Sequence, residues 1–226
     1  MSETTESTTR KRTVILVDDH PIVRQGIKLL FSHEEDLEVC AEAEDAVTAL
    51  QKIEEYQPDI AIVDLRLKDS SGLELIKDLQ LRAPKMPILV LSMRDEGFYA
   101  ERVLRAGARG YVTKEEGTTK VLEGVRKVLS GEIYVSDKMA TKVMGRIVQG
   151  VTDEKTAPID ALTDRELEVF ELIGNGVPTR EVAKRLHIST KTVDSHREHI
   201  KEKLNLDSAT ELLKHAIQWV QYQKGS

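Results

Sequence analysis

The sequence predicts an α/β fold, a five-stranded parallel, doubly wound sheet, followed by a small all-α unit of four helices. Short apolar runs alternate five times with segments of helical periodicity, a βα pattern that implies a parallel sheet with helices on both faces. Two of these runs end abruptly in carboxylates, Val17-Asp18-Asp19 and Val63-Asp64, and the ends of such strands are where open α/β sheets take ligands. From residue 156 onward only helical spacing with capping residues is found, so the second unit has no sheet of its own.

The elements follow in order. Thr13-Val14-Ile15-Leu16-Val17 is the first strand, and Pro21 opens a helix whose Ile22, Val23, Ile27, Leu30 and Phe31 fit one buried face. Val39-Cys40-Ala41 is a short strand, and Asp45 caps a helix carrying Val47, Leu50 and Ile53. Ile60-Ala61-Ile62-Val63 is apolar at every position, as a strand buried on both faces must be. A helix over residues 72–82, a strand Ile88-Leu89-Val90-Leu91-Ser92, a helix over 98–106, a strand Gly110-Tyr111-Val112 and a helix over 118–129 complete the unit. Residues 131–155, punctuated by Gly131, Gly145 and Gly150, read as a linker with a short helix over 138–148.

The second unit, 156–226, opens with Thr163 and Glu166 spaced as a capping box before Leu167, Val169, Phe170, Leu172 and Ile173. Gly174-Asn175-Gly176 ends that helix, Pro178-Thr179 opens a second, and Ser189 caps a third. A fourth helix runs over 208–222. On the third, with Lys191 set at zero, Val193, Ile200 and Leu204 fall near about 180° to 220°, while Ser195, Glu198 and Glu202 fall within about 40° of Lys191. One stripe is buried and the opposite face is polar. A short helix joined by a tight turn to such a helix is a helix-turn-helix, whose second helix enters the DNA major groove.

Composition narrows the function classes. The net charge is −6, yet residues 179–203 hold seven basic and four acidic side chains, a local excess that suits phosphate backbones. Cys40 is the single cysteine, so no intramolecular disulfide forms, and it reads as a small core residue. The polar, Thr-rich residues 1–12 read as a disordered tail without the apolar centre of a signal peptide, and no apolar stretch reaches membrane-spanning length. A cytoplasmic protein is expected.

Asp18, Asp19 and Asp64 converge at one sheet end. Clustered carboxylates raise each other's pKa unless a cation neutralises them, and an oxygen donor set with room for water suits Mg2+. Ser92 and Lys114 end the fourth and fifth strands on the same side, supplying a hydroxyl and a cation. An aspartyl phosphate at Asp64 requires such partners. His20 and His33 read as surface or capping groups.

Residues 13–130 resemble the receiver domain of a two-component response regulator. The resemblance rests on Val17-Asp18-Asp19-His20-Pro21, Asp64-Leu65-Arg66-Leu67 with Gly72 beyond it, Leu91-Ser92, and Gly110-Tyr111-Val112-Thr113-Lys114. It implies a flavodoxin-like fold and phosphorylation of Asp64. It also implies Mg2+ held by Asp18 or Asp19 with Asp64 and the Arg66 backbone carbonyl, phosphoryl contacts from Ser92 and Lys114, and Ser92 with Tyr111 as the switch pair. Lys68 and Glu115 stand where many receivers and some receivers, respectively, carry proline, and a trans Lys114-Glu115 bond is expected.

Residues 161–217 resemble the LuxR-type helix-turn-helix, and the whole chain is similar to NarL/FixJ-subfamily regulators. The matching residues include Leu162-Thr163-Asp164-Arg165-Glu166, Gly176, Glu181-Val182-Ala183, Ile188-Ser189, Thr192-Val193, His196, Ile200 and Lys203-Leu204. By that likeness Thr179, Arg180, Lys191, Thr192 and His196 meet phosphates, with Asp194, Ser195 and Glu198 nearest the bases. Asp194 and Glu198 are acidic where some relatives are basic, and a carboxylate accepts from cytosine N4. The implied partners are double-stranded DNA, a cognate sensor histidine kinase and, on phosphorylation, a second copy of the chain. A rival reading is a Mg2+-dependent phosphohydrolase with Asp64 as nucleophile. Such enzymes of the haloacid-dehalogenase type carry Asp-x-Asp, and Arg66 stands where their general acid would be, so no enzyme is expected beyond slow loss of the chain's own phosphoryl group. A phosphorylation-independent DNA binder is the remaining alternative.

Overall fold

The computed structural model describes residues 10–68, 70–94, 96–141 and 158–224. The chain divides into two compact units. One runs to Glu96 and resumes over Val103–Ser136, and the other combines Gly97–Arg102 with the chain from Asp137 onward. The expected tail lies, over residues 1–9, outside the described residues, and so does most of the expected linker helix, of which 137–141 are helical.

In the first unit the strands are β1 (Arg12–Val17), β2 (Leu37–Ala43), β3 (Ile60–Val63), β4 (Ile88–Ser92) and β5 (Gly110–Thr113). The helices are α1 (Pro21–Ser32), α2 (Ala46–Tyr56), α3 (Gly72–Arg82) and α5 (Thr118–Leu129), with α4 (Glu96–Arg105) divided, its Gly97–Arg102 stretch grouped with the other unit. All ladders are parallel, in the order β2-β1-β3-β4-β5. Winding therefore reverses between β1 and β3, and the crevice beyond their carboxyl ends is the place such a sheet offers a ligand.

Every residue of β3 and β4 is buried, which is why those stretches carry no polar alternation. Val14, Leu16, Ile62, Leu89, Leu91 and Val112 join Ile27 and Phe31 of α1 and Val121, Val125 and Val128 of α5 in one core layer. By the pleat, Ile15, Val17, Ala61, Val63, Ile88 and Val90 point to the opposite face, where α2 and α3 bury Ala49, Ile53, Leu75, Ile76 and Leu79. Strand β2 is longer than its apolar centre suggests. Its pairing with β1 shifts register at Val14/Ile15, leaving Cys40 as the extra residue, half-buried with its thiol toward the Val14 carbonyl. The caps are as the sequence predicts: Pro21 begins α1, and the Asp45 carboxylate accepts from Thr48 N at 2.8 Å.

Two features were not legible in the sequence. After Asp64 the chain forms a tight antiparallel pair, Arg66–Leu67 with Ser70–Ser71, anchored by Lys68 N donating to the Glu44 carbonyl. Beyond α5, Tyr134 bridges to Gly110 in parallel, Tyr111 N donates to the Tyr134 carbonyl at 2.8 Å, and Ser136 N donates to the Glu96 carboxylate. The sheet unit thus reaches Ser136, past the residue 130 at which the sequence pattern ends.

The second unit holds α6 (Asp164–Gly174), α7 (Thr179–Arg185), α8 (Thr190–Leu204) and α9 (Ala209–Lys224), after a short 3-10 turn Pro158–Ala161. Its core gathers Leu167, Val169, Phe170 and Ile173 of α6, Val182 and Ala183 of α7, Val193 and Ile200 of α8, and Leu212, Ala216 and Val220 of α9. A Cβ at Gly174 would lie 2.3 Å from the Ala216 carbonyl oxygen, so that helix crossing demands glycine.

Candidate phosphoacceptor site and nucleic-acid interface

Strand β3 delivers Asp64 to the carboxyl edge of the sheet, where its side chain is 3 % exposed. Strand β1 delivers Asp18 beside it, β4 ends on Ser92, and Lys114 follows β5. The four side chains meet. Ser92 Oγ donates to Asp64 Oδ1 at 2.7 Å, and Lys114 Nζ donates to Asp64 Oδ2 at 2.5 Å and lies 2.6 Å from Asp18 Oδ2. Arg66 N completes the set, donating to Asp64 Oδ1 at 3.3 Å. Burial works against the Lys114 charge, but the Asp64 and Asp18 carboxylates outweigh it and hold its pKa above the ordinary lysine value.

The loop that carries Asp64 is fixed from below. A Cβ on Gly72 would come within 2.0 Å of the Asp64 carbonyl oxygen, and Gly72 N donates to the Leu65 carbonyl at 3.0 Å. Only glycine permits this approach, so the spacing from Asp64 to Gly72 is a steric requirement of the site.

Carboxylate oxygens of Asp18, Asp19 and Asp64 and a ring nitrogen of His20 all lie within 4.8 Å of one another. His20 Nδ1 stands 2.6 Å from Asp19 Oδ1, without the alignment of a hydrogen bond, and no other donor among the described residues reaches that buried oxygen. Three converging carboxylates, one with a lone pair unclaimed, fit a hard divalent cation such as Mg2+. The sequence set His20 aside, and the structure places it at this cluster. Its backbone N–H also donates to Asp18 Oδ1 at 2.8 Å, which helps aim that carboxylate.

Tyr111 is 1 % exposed, and its hydroxyl donates to the Arg94 carbonyl at 2.8 Å. The ring is therefore turned inward, and Ser92 faces Asp64. The peptide after Lys114 is trans, as are all the described peptides.

In the second unit the capping box is complete: Thr163 accepts from Glu166 N, and the Glu166 carboxylate accepts from Thr163 N at 2.7 Å. Glu166 is 4 % exposed and also accepts from Lys203 Nζ of α8 at 2.6 Å. Burial pushes its pKa up, yet Lys203 and the Thr163 donors prevail and hold it below the usual glutamate value. One residue thus starts α6 and anchors the far end of α8. The α7–α8 turn is tight, with His187 at φ 52° and Ile188 N donating to the Ala183 carbonyl, and Ser189 caps α8 by accepting from Thr192 N at 3.0 Å.

Along α8, Val193 and Ile200 are fully buried, while Lys191, Thr192, Asp194, Ser195 and Glu198 are exposed, as the angular arithmetic predicts. Arg180 of α7 is exposed and Thr179 is partly so. His196 is half-buried, and burial, its largest influence, pushes its pKa below the ordinary histidine value. Arg197 donates to Thr179 Oγ1 at 2.9 Å.

Comparison with known proteins agrees in both halves. Residues 14–126 match the model of the response regulator receiver domain, and residues 160–216 match that of the luxR family of bacterial regulatory proteins. The oxygen regulatory protein NreC of Staphylococcus epidermidis is 38 % identical over 209 residues, 90 % of this chain and 96 % of that protein. RcsB of Salmonella enterica serovar Typhimurium, solved bound to a promoter with the phosphomimetic BeF3-, aligns with a TM-score of 0.67 at 27 % identity, covering 92 % of this chain and 98 % of RcsB. A LuxR-family two-component response regulator from Aurantimonas aligns with a TM-score of 0.57 at 32 % identity, covering 62 % of this chain and 99 % of that one.

Proposed function

The chain belongs to the two-component response regulators of the NarL/FixJ type, DNA-binding proteins that join a receiver to a LuxR-type helix-turn-helix, and from that premise we propose that Mg2+-dependent phosphorylation of Asp64 switches its action at promoters. The convergence of Asp64, Ser92 and Lys114 beside two further carboxylates carries this reading. A sensor histidine kinase supplies the phosphoryl group: an Asp64 oxygen bonds to phosphorus as the phosphorus–nitrogen bond of the donor histidine breaks. Asp18, Asp19, Asp64 and the Arg66 carbonyl would hold Mg2+, and the bound cation would supply charge neutralisation for phosphoryl transfer. Lys114 and Ser92, now bonded to the carboxylate, turn to phosphoryl oxygens once these occupy the edge. Arg66 two residues after the nucleophile leaves no general acid for turnover of phosphate esters, so hydrolysis is confined to slow loss of the chain's own phosphoryl group.

The DNA half works by a polar helix face. Lys191, Arg180, Thr179, Thr192 and His196 contact the backbone, and Asp194, Ser195 and Glu198 face the bases. The promoter and phosphomimetic held together by RcsB support DNA and phosphoryl as the two ligands. Phosphorylation favours a dimer, because two half-sites let each weakly basic helix contribute. No helix among the described residues is long and apolar enough to cross a membrane, and a regulator of promoters is assigned to the cytoplasm.

The test is labelling with a small phosphodonor and Mg2+. One phosphoryl group per chain is expected, absent in Asp64→Asn, and equal labelling of that variant would overturn the site. Loss of Mg2+ affinity in Asp18→Ala or Asp19→Ala, with Asp64 intact, checks the metal ligands; unchanged affinity in both would remove them.

A further inference from the structure

Four cations in and beside the helix-turn-helix are held by carboxylates, while Arg180, Lys184 and Lys191 stand exposed to solvent. Arg165 pairs with Glu168, Arg185 with Glu181, Lys201 with Glu198 and Lys203 with Glu166. Arg197 differs. It is half-buried, and among the described residues its guanidinium meets no carboxylate; its hydrogen bond goes to the neutral Thr179 Oγ1 at 2.9 Å. A partly desolvated guanidinium with no counter-ion loses hydration without recovering it in an ion pair. Such an arrangement is sustained where an anion arrives from outside.

Thr179 sits at the first position of α7, after Pro178. Because its oxygen accepts from Arg197, the hydroxyl proton is left to point away from the guanidinium and can donate to a further acceptor. Arg197 uses one N–H for this contact and has the rest of its fork to offer. The pair therefore presents a charge and a directed hydroxyl from two different helices, and the bond between them fixes the side chains before a ligand is met.

We infer that Arg197 and Thr179 form a clamp on one DNA backbone phosphate, Arg197 supplying the charge and Thr179 an aimed hydroxyl. This rests on the reading of α8 as the groove-facing helix, and it adds a residue that reading lacks. Angular position hid it: Arg197 lies about 240° from Lys191 on the α8 wheel, beside the buried stripe, and only its long side chain carries the charge around to α7.

The test uses the full chain, phosphodonor and random-sequence duplex DNA across a salt series, since a phosphate contact acts on every sequence. Arg197→Met keeps the apolar stem and is expected to weaken binding roughly tenfold, with the slope of log affinity against log salt reduced by about one. Arg197→Lys retains the slope. Thr179→Val weakens binding with no change of slope, and the double variant loses less than the two single losses combined, because each half of the clamp depends on the other. Lys191→Ala is the reference. If it flattens the slope while Arg197→Met does not, the clamp is overturned and the docking face stands. If neither changes the slope, the docking face itself is wrong and the clamp falls with it. A lower melting temperature in Arg197→Met with affinity and slope intact would show a brace between α7 and α8 and would likewise overturn the clamp.

Discussion

Glu166 does three things with one carboxylate: it accepts from the first backbone N–H of its cap, it meets Lys203 of α8, and it does both while buried. Its pKa lies below the usual value, so its contribution to stability is present above the unfolded glutamate pKa near about 4.3 and is lost as pH falls through the lower folded value. Thermal stability of the second unit is thus expected to fall below about pH 4, and Glu166→Gln should flatten that acid limb. A limb of the same steepness in the variant would assign the acid sensitivity elsewhere. Lys191→Ala, at an exposed position of α8, should weaken binding to all sequences and lower the salt slope by about one, whereas Glu198→Ala should alter which sequence is preferred. At this scale the sequence was informative wherever a charge interrupts an apolar run, as at Asp18 and Asp64. It offered no contact for Arg197 and read His20 as a surface or capping group, because the place of each depends on where a long or rotatable side chain ends.

At the scale of elements, the strand ends were legible because a strand buried on both faces cannot hide a carboxylate, so its first charge marks its edge. The Arg66–Leu67/Ser70–Ser71 pair was not, since two-residue strands have no periodicity to read. Its dependence on Gly72 gives a sharp expectation. With a Cβ placed 2.0 Å from the Asp64 carbonyl oxygen, Gly72→Ala must push backbone aside, which should cost about 1–3 kcal/mol and slow phosphodonor labelling together. Urea unfolding and labelling rate measured on the same preparation check it, and a variant that labels at the parental rate would show that the loop position does not matter to Asp64. Thr163→Ala removes the other half of the capping box and should cost about 1 kcal/mol, read as a lower midpoint for the second unit alone.

For the whole molecule, the switch can move only as much population as the phosphoryl group distinguishes between two arrangements. The expected outcome is that residues 156–226 alone bind DNA without phosphodonor, while the full chain needs it for tight two-site binding and doubles its mass in light scattering. Equal binding at equal mass by the unphosphorylated full chain would exclude both release and dimerisation as the switch.

Tyr134 has a practical consequence for anyone who divides the molecule. Its carbonyl takes the Tyr111 N–H, and its own N–H goes to the Arg109 carbonyl, so the outermost strand is partly covered on its open side. A receiver cut at residue 130, where the sequence pattern stops, would lose that cover and display the backbone of β5 as a template for another chain. Such a fragment should self-associate in a concentration-dependent way that resembles signalling dimerisation but ignores phosphodonor, while one ending at Ser136 should remain monomeric until it is phosphorylated.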